Sequence, residues 1–266
     1  MTGSSMDDIK KQIRDAIQMD YVVPEDIPDI ELYMDQVTTF MEQHMQHNKR
    51  SPEDKILTKT MINNYTKNHL LPPPEKKKYT KDHIILMLYT YYLKNFLSIG
   101  DIQTLLTPMI DSYYGMPASS ETSLTNIYEM VVDLAKHQYQ YDKKNIFETY
   151  ELVHQKLTDD KLQEVSVSNT AASDTPDDPS DEYLHDFLFV AMLSYDIYLK
   201  TQLVEKIIGD MAPLAESINE KEEKKQKVQK SSITESAKKP RTSGKPSTDN
   251  RINKQKSKEH NHHSKK

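Results

Sequence analysis

Between Pro28 and Ile208, wherever the apolar residues form a pattern at all, they return at three- and four-residue steps, the period of a helix packed on one side. Strand-like alternation is missing, and only 5 glycines occur in 266 residues. Both observations argue against a Gly-rich phosphate loop, a jelly roll and a doubly wound sheet. The chain is expected to be all-α.

Punctuation divides that helical chain. Ile30, Tyr33, Val37, Phe40, Met41 and Met45 predict a helix over Pro28 to Gln46, with Asp29 as its cap. After a polar loop, Thr58 or Thr60 caps a short helix whose inner face is Met61, Ile62 and Tyr65. It must stop at Leu70-Leu71, because Pro72-Pro73-Pro74 supplies no amides and disfavours helical geometry in the residue before it. Lys76-Lys77-Lys78-Tyr79 follows, and Thr80 caps a longer helix with the stripe Ile84, Ile85, Leu88, Tyr91, Tyr92 and Phe96. Ser98 opens a short helix, Ile99 to Leu106, closed by Pro108. Beyond it, helices are expected in two or three pieces. One carries Leu124, Ile127, Tyr128, Val131, Leu134 and Ala135, and another runs from Ile146 to Leu157. Val165 to Asp181 reads as a loop. Tyr183 to Ile208 is a final helix, apolar on more than one face, which its own domain or a second subunit must cover. From about Glu220 onward the chain is Lys- and Ser-rich without apolar period, a disordered composition.

The net charge of -6 conceals strong segregation. Residues 1–48 carry 3 basic and 10 acidic groups, and residues 49–107 carry 10 and 5. Residues 108–220 carry 7 and 21, and the tail carries 15 and 5. A local basic block is the footprint of a nucleic-acid binder, because clustered Lys and Arg release phosphate counterions. Alone it is as readily a solvated face; only the first block also has an ordered apolar pattern.

Other chemistry finds no support. There is no Cys, hence no disulfide, thiolate nucleophile or Cys-based metal site, which fits a reducing cytoplasm. No cofactor is indicated. His260, His262 and His263 stand in the polar tail without a supporting shell, and His44 and His47 lack the Glu of a zinc-peptidase helix. Tyr89, Tyr91, Tyr92, Tyr113 and Tyr114 stand at helical spacing and read as core. No segment reaches the roughly 18 uninterrupted apolar residues that span a bilayer, so no membrane partner is expected. The chain reads as a cytoplasmic non-enzyme, associated with the nucleoid when DNA-bound.

The order of short helix, proline stop, basic link, long helix and short helix is the plan of a winged helix-turn-helix. The string Met61-Ile62-Asn63-Asn64-Tyr65-Thr66-Lys67-Asn68-His69-Leu70-Leu71-Pro72-Pro73 resembles the recognition helix of the MerR family of bacterial transcription regulators. Lys78-Tyr79-Thr80-Lys81-Asp82 resembles that family's wing exit, and Leu93 to Leu106 its closing helix pair. Asn63 and Asn64 stand where the family has Arg and an aromatic, His69 replaces its Gly, and the link from Pro74 to Lys78 is short for a wing. Ile27 to Val37, Leu57 to Lys67 and Lys77-Lys78-Tyr79 are similar to the domain of unknown function 1836 family, uncharacterised proteins of Firmicutes. That likeness spans roughly residues 25–160.

The MerR resemblance implies double-stranded DNA as the partner. The candidate contact residues are Thr58, Lys59, Thr60, Asn63, Asn64, Lys67, Lys76, Lys77, Lys78 and Tyr79. Asn pairs two-pronged with adenine, Lys meets guanine or phosphate, and each good bidentate pair discriminates bases by ~1–3 kcal/mol. The lysines after the prolines fix position on the backbone more than sequence. The expected organisation is an N-terminal segment (1–24), a MerR-like helix-turn-helix domain (25–108), an acidic helical region that pairs subunits or receives a signal (109–219), and a disordered basic tail (220–266). A homodimer is expected, because two-fold operators need two recognition helices about one helical turn apart. The rival reading is a protein–protein adaptor that retains the fold without specific DNA binding.

Overall fold

A computed structural model describes residues 6–17, 20–49, 51–117, 119–168 and 179–236. Seven α-helices and two two-residue strands follow one another among them: α1 (Met6–Ala16), β1 (Leu32–Tyr33), α2 (Met34–His44), α3 (Lys59–Lys67), β2 (Lys78–Tyr79), α4 (Lys81–Leu93), α5 (Ile99–Tyr113), α6 (Leu124–Ser168) and α7 (Pro179–Ser236). The protein is all-α, as the periodicity predicts. By internal contacts Met1–Glu222 form one compact unit and Glu223–Lys266 a second.

The core is built around α4. Six consecutive residues, His83 to Leu88, are buried, and Thr90 and Tyr91 follow them. The sequence pattern predicts one apolar stripe here. A helix wrapped on every side buries all its faces instead, which explains the unbroken run Ile84-Ile85-Leu86-Met87-Leu88. Phe96, expected on that stripe, lies beyond the helix and is 47% exposed. Val37, Phe40 and Met41 of α2, Ile62 and Tyr65 of α3, Ile102 and Leu106 of α5, Leu124, Tyr128 and Val132 of α6 and Ile208 of α7 belong to the same cluster, with buried residues of the connecting segments such as Ile27, Ile56 and Leu70.

Tyrosine hydroxyls tie the loops to this core. Tyr92 donates to the Asp20 carbonyl (3.2 Å), Tyr91 to that of Asn48 (3.2 Å) and Tyr128 to that of Val22 (2.8 Å). Each buries a large apolar ring while its polar end satisfies a loop carbonyl. The tyrosines of α4 are thus core residues, as their spacing predicts.

Four expectations are corrected. The helix predicted from Pro28 begins only at Met34, because Leu32–Tyr33 pair antiparallel with Lys78–Tyr79, in register Leu32 to Tyr79 and Tyr33 to Lys78. Ile30 is consequently exposed, and Asp29 caps nothing; it meets Lys81 Nζ at 2.8 Å. Pro108 does not close α5, which runs through it to Tyr113. Pro108 costs the Thr104 carbonyl its usual amide partner, and one residue earlier the Thr107 hydroxyl bonds the Gln103 carbonyl at 2.8 Å. The predicted pieces after residue 124 are one helix, α6, of 45 residues, which also takes in Val165–Ser168; the rest of that predicted loop up to residue 178 lies outside the described residues. In the first turns of α6 Leu124, Tyr128 and Val132 are buried at four-residue steps, Val153 is buried further along, and Val131 and Leu134 face out.

Finally, α7 continues past Glu220 to Ser236, where composition predicts disorder. Lys, Glu and Gln are good helix formers, and the Lys227–Glu223 pair (3.2 Å) supports the helix at i,i+4 spacing. Residues 237–266, with His260, His262 and His263, lie outside the described residues. Alongside α6, α7 runs antiparallel: Lys200 approaches Asp142 (3.8 Å), and the Phe189 and His185 rings stand edge-on to Tyr150. By length and composition Glu182–Lys225 is apolar enough to cross a membrane.

Candidate nucleic-acid interface

The helix α3 is set by its ends. Thr58, in extended conformation, caps it, its Oγ1 accepting the Met61 amide at 3.2 Å. At the other end His69 adopts φ +55. Its amide bonds the Thr66 carbonyl (3.2 Å), and the Leu70 amide reaches back to that of Tyr65 (2.9 Å). This is a Schellman cap, sealed by contact of buried Leu70 with the Tyr65 turn. The prolines that follow carry the chain away.

With Ile62 and Tyr65 pointing inward, the outer face of α3 presents Thr60, Asn63, Asn64 and Lys67, all exposed. These are the side chains expected to contact bases, and they lie at i, i+3, i+4 and i+7 on one strip. Lys59 is exposed and paired with Asp35 at the start of α2. The Thr58 hydroxyl is committed to its cap. Tyr65 is core.

The basic link forms a hairpin turn. Lys76 (φ +48) and Lys77 (φ +66) are both left-handed, and the Lys78 amide bonds the Glu75 carbonyl at 2.8 Å. Two consecutive left-handed residues in a two-residue loop make a type I′ turn, normally built from Asn-Gly. Here two exposed lysines hold it, at a steric cost of roughly 1–2 kcal/mol each. Strand alternation past the turn sends Lys78 outward and Tyr79 inward. Tyr79, expected on the contact face, is 3% exposed, with its ring edge-on to His83. It is a core residue, and burial pushes its hydroxyl pKa up.

An acidic edge runs between the two basic elements. Asp35 pairs with Lys59, Glu31 with Lys78 (3.3 Å) and Asp29 with Lys81 (2.8 Å). Lys78 also stands over the Tyr33 ring, 5.9 Å from its centre. Sequence reasoning missed both Lys81 and this edge. The sequence signal was Asp29, Glu31 and Asp35 at spacings of two and four, but only the β1–β2 pairing brings them to the lysines.

The two histidines of α2's end have local partners. His44 Nδ1 donates to the Phe40 carbonyl (3.0 Å), and His47 meets Asp20 (2.8 Å). No curated protein and no solved structure matches the chain significantly. Residues 22–131, which take in α2 to α5, the hairpin and the start of α6, match the model of a family described as Domain of unknown function (DUF1836), and that match supports placing this segment in the family.

Proposed function

We propose that the protein is a DNA-binding transcription regulator, not an enzyme, with α3 as its reading helix and the Lys76–Lys77 turn as a small wing on the phosphate backbone. The observation that carries this reading is the strip Thr60, Asn63, Asn64 and Lys67. It is fully polar and exposed, and Thr58 and the His69 cap hold both ends of its helix. Asn63 and Asn64 supply paired donors and acceptors for base edges, and the lysines supply charge for phosphates. The likeness of this string to the MerR recognition helix supports the assignment. So does the strain at the turn, since left-handed non-glycine residues persist where a surface is shaped for a partner.

Binding of the full chain to fragments of its own genome, beginning upstream of its own gene, tests the reading at two salt concentrations. Saturable, sequence-selective binding that weakens steeply with salt is expected. Asn63→Ala with Asn64→Ala should then relax base preference while leaving random-sequence affinity intact. Affinity no better than for random DNA would reject the reading and favour an adaptor, for which the exposed apolar side of α7 would be the contact.

A further inference from the structure

In the first turns of α7, α6 covers one side only, through Phe189 and His185 against Tyr150. Of the remaining large apolar side chains there, Leu188 and Leu193 are half-buried and nine are open; eight of the nine are ordered about Ala191, and Ile197 stands outside that order. One residue to either side stand Val190 and Met192. Four away are Phe187 and Tyr195, seven away Leu184 and Tyr198, eight away Tyr183 and Leu199. All eight keep more than 40% of their surface exposed, from 43% for Leu184 to 70% for Tyr183. Residues 184, 187, 191, 195 and 198 follow one another at steps of three, four, four and three, so they share one face of the helix.

A pattern that reads the same in both directions is what an antiparallel contact between two copies of one helix requires. In a two-fold interface residue i of one copy meets j of the other while j meets i. Ala191 at the centre allows the closest approach. Leu184 then packs on Tyr198, and Phe187 on Tyr195, twice over. Eight side chains with on the order of 100 Å² open on each give about 800 Å² per partner, the size of a standard stable interface.

We propose that a second copy of this chain covers α7, antiparallel, with the two-fold axis passing Ala191. A lipid bilayer fits the same apolar residues less well. The partner helix α6, antiparallel beside α7, brings Asp142, Lys143, Lys144, Glu148 and Glu151 to the same depth, and charges in hydrocarbon are costly. An unrelated protein would have no use for the symmetry about Ala191. The proposal does not depend on the DNA reading.

The chain has no cysteine, so an introduced one can pair only with another copy. In the full chain, Ala191→Cys should give a disulfide-linked dimer under mild oxidation. Leu184→Cys alone should not, because the two copies of residue 184 would stand about 21 Å apart along the axis, far beyond disulfide reach. A mixture of the Leu184→Cys and Tyr198→Cys proteins should cross-link. The unmodified chain should sediment as a dimer at micromolar concentration and stay off phosphatidylcholine vesicles. A monomer in sedimentation, self-cross-linking at Leu184→Cys, a mixture that does not cross-link, or flotation with the vesicles would each overturn the proposal.

Discussion

His83 Nε2 donates to the Pro72 carbonyl at 3.2 Å, fastening the first turn of α4 to the proline stop after α3. The tautomer follows from the other nitrogen. Nδ1 accepts the Thr80 amide at 3.0 Å, so the single ring proton of the neutral form sits on Nε2. The Tyr114 hydroxyl lies 3.1 Å from Nε2 and 3.2 Å from Nδ1, adding α5 to the junction. Carboxylates are absent from these contacts. Burial therefore dominates and lowers the His83 pKa from 6.5 to about 4, against a smaller opposing effect of the Pro72 carbonyl.

A depressed histidine pKa links folding to pH. Below about 6.5 the unfolded chain takes up a proton that the folded chain refuses. The stability His83 contributes is thus fully present above pH 6.5 and is lost as pH falls toward 4. The loss is up to about 3 kcal/mol, at 1.36 kcal/mol per pKa unit. Urea midpoints measured from pH 7.5 to 4.5 should fall more steeply for the native chain than for His83→Gln. Parallel slopes would mean that the ring takes up its second proton as readily in the folded chain as in the unfolded one.

The Schellman cap at His69 makes a second prediction. A residue with a Cβ at φ +55 bears about 1–2 kcal/mol of steric cost, whereas glycine bears none but loses about 0.5–1 kcal/mol more entropy on folding. His69→Gly should therefore stabilise the protein by about 0.5–1 kcal/mol. The exposed imidazole has no partner to lose among the described hydrogen bonds. Chemical denaturation measures the difference directly, and a destabilised variant would show that the ring makes a contact worth more than the strain.

These positions show what was legible in the sequence. The ends of α3, Thr58 and the stop before Pro72, follow from local chemistry, and its outer strip follows from period 3.6. The class of fold follows from the same period. Boundaries set by distant pairing do not. Pro28 to Tyr33 has helical spacing, yet two backbone bonds' worth of strand with residues 78–79 outweigh it. Tyr79 could be placed inward only once the turn at Lys76–Lys77 fixed the alternation. Pro108 and the acidic pieces of α6 mislead because long-range packing tolerates local breaks that an isolated helix would not.

The turn separates stability from binding. Lys76→Asn with Lys77→Gly installs the residue types that a type I′ turn favours and removes two exposed charges. The double variant should unfold at higher urea than the native chain. Under the DNA reading it should also bind all DNA more weakly, with the slope of log affinity against log salt shallower by about two. A stabilised variant with unchanged binding would take the turn out of the interface.

The acidic edge gives the last test. Asp35, Glu31 and Asp29 pair with Lys59, Lys78 and Lys81, so a phosphate approaching any of these lysines meets a carboxylate already there. Exposed ion pairs contribute about 0–1 kcal/mol each, and the fold loses little without them. Repulsion between a carboxylate and a phosphate at contact is about 1 kcal/mol in water. Asp29→Asn, Glu31→Gln and Asp35→Asn together should then tighten DNA binding about tenfold or more at low salt, with the gain shrinking as salt rises. Random and cognate sequences should gain alike, because the edge touches no base-reading side chain. Equal affinity of the native and neutralised chains at low salt would show that DNA does not approach these three lysines, and would confine its path to the strip on α3 and the tip of the turn.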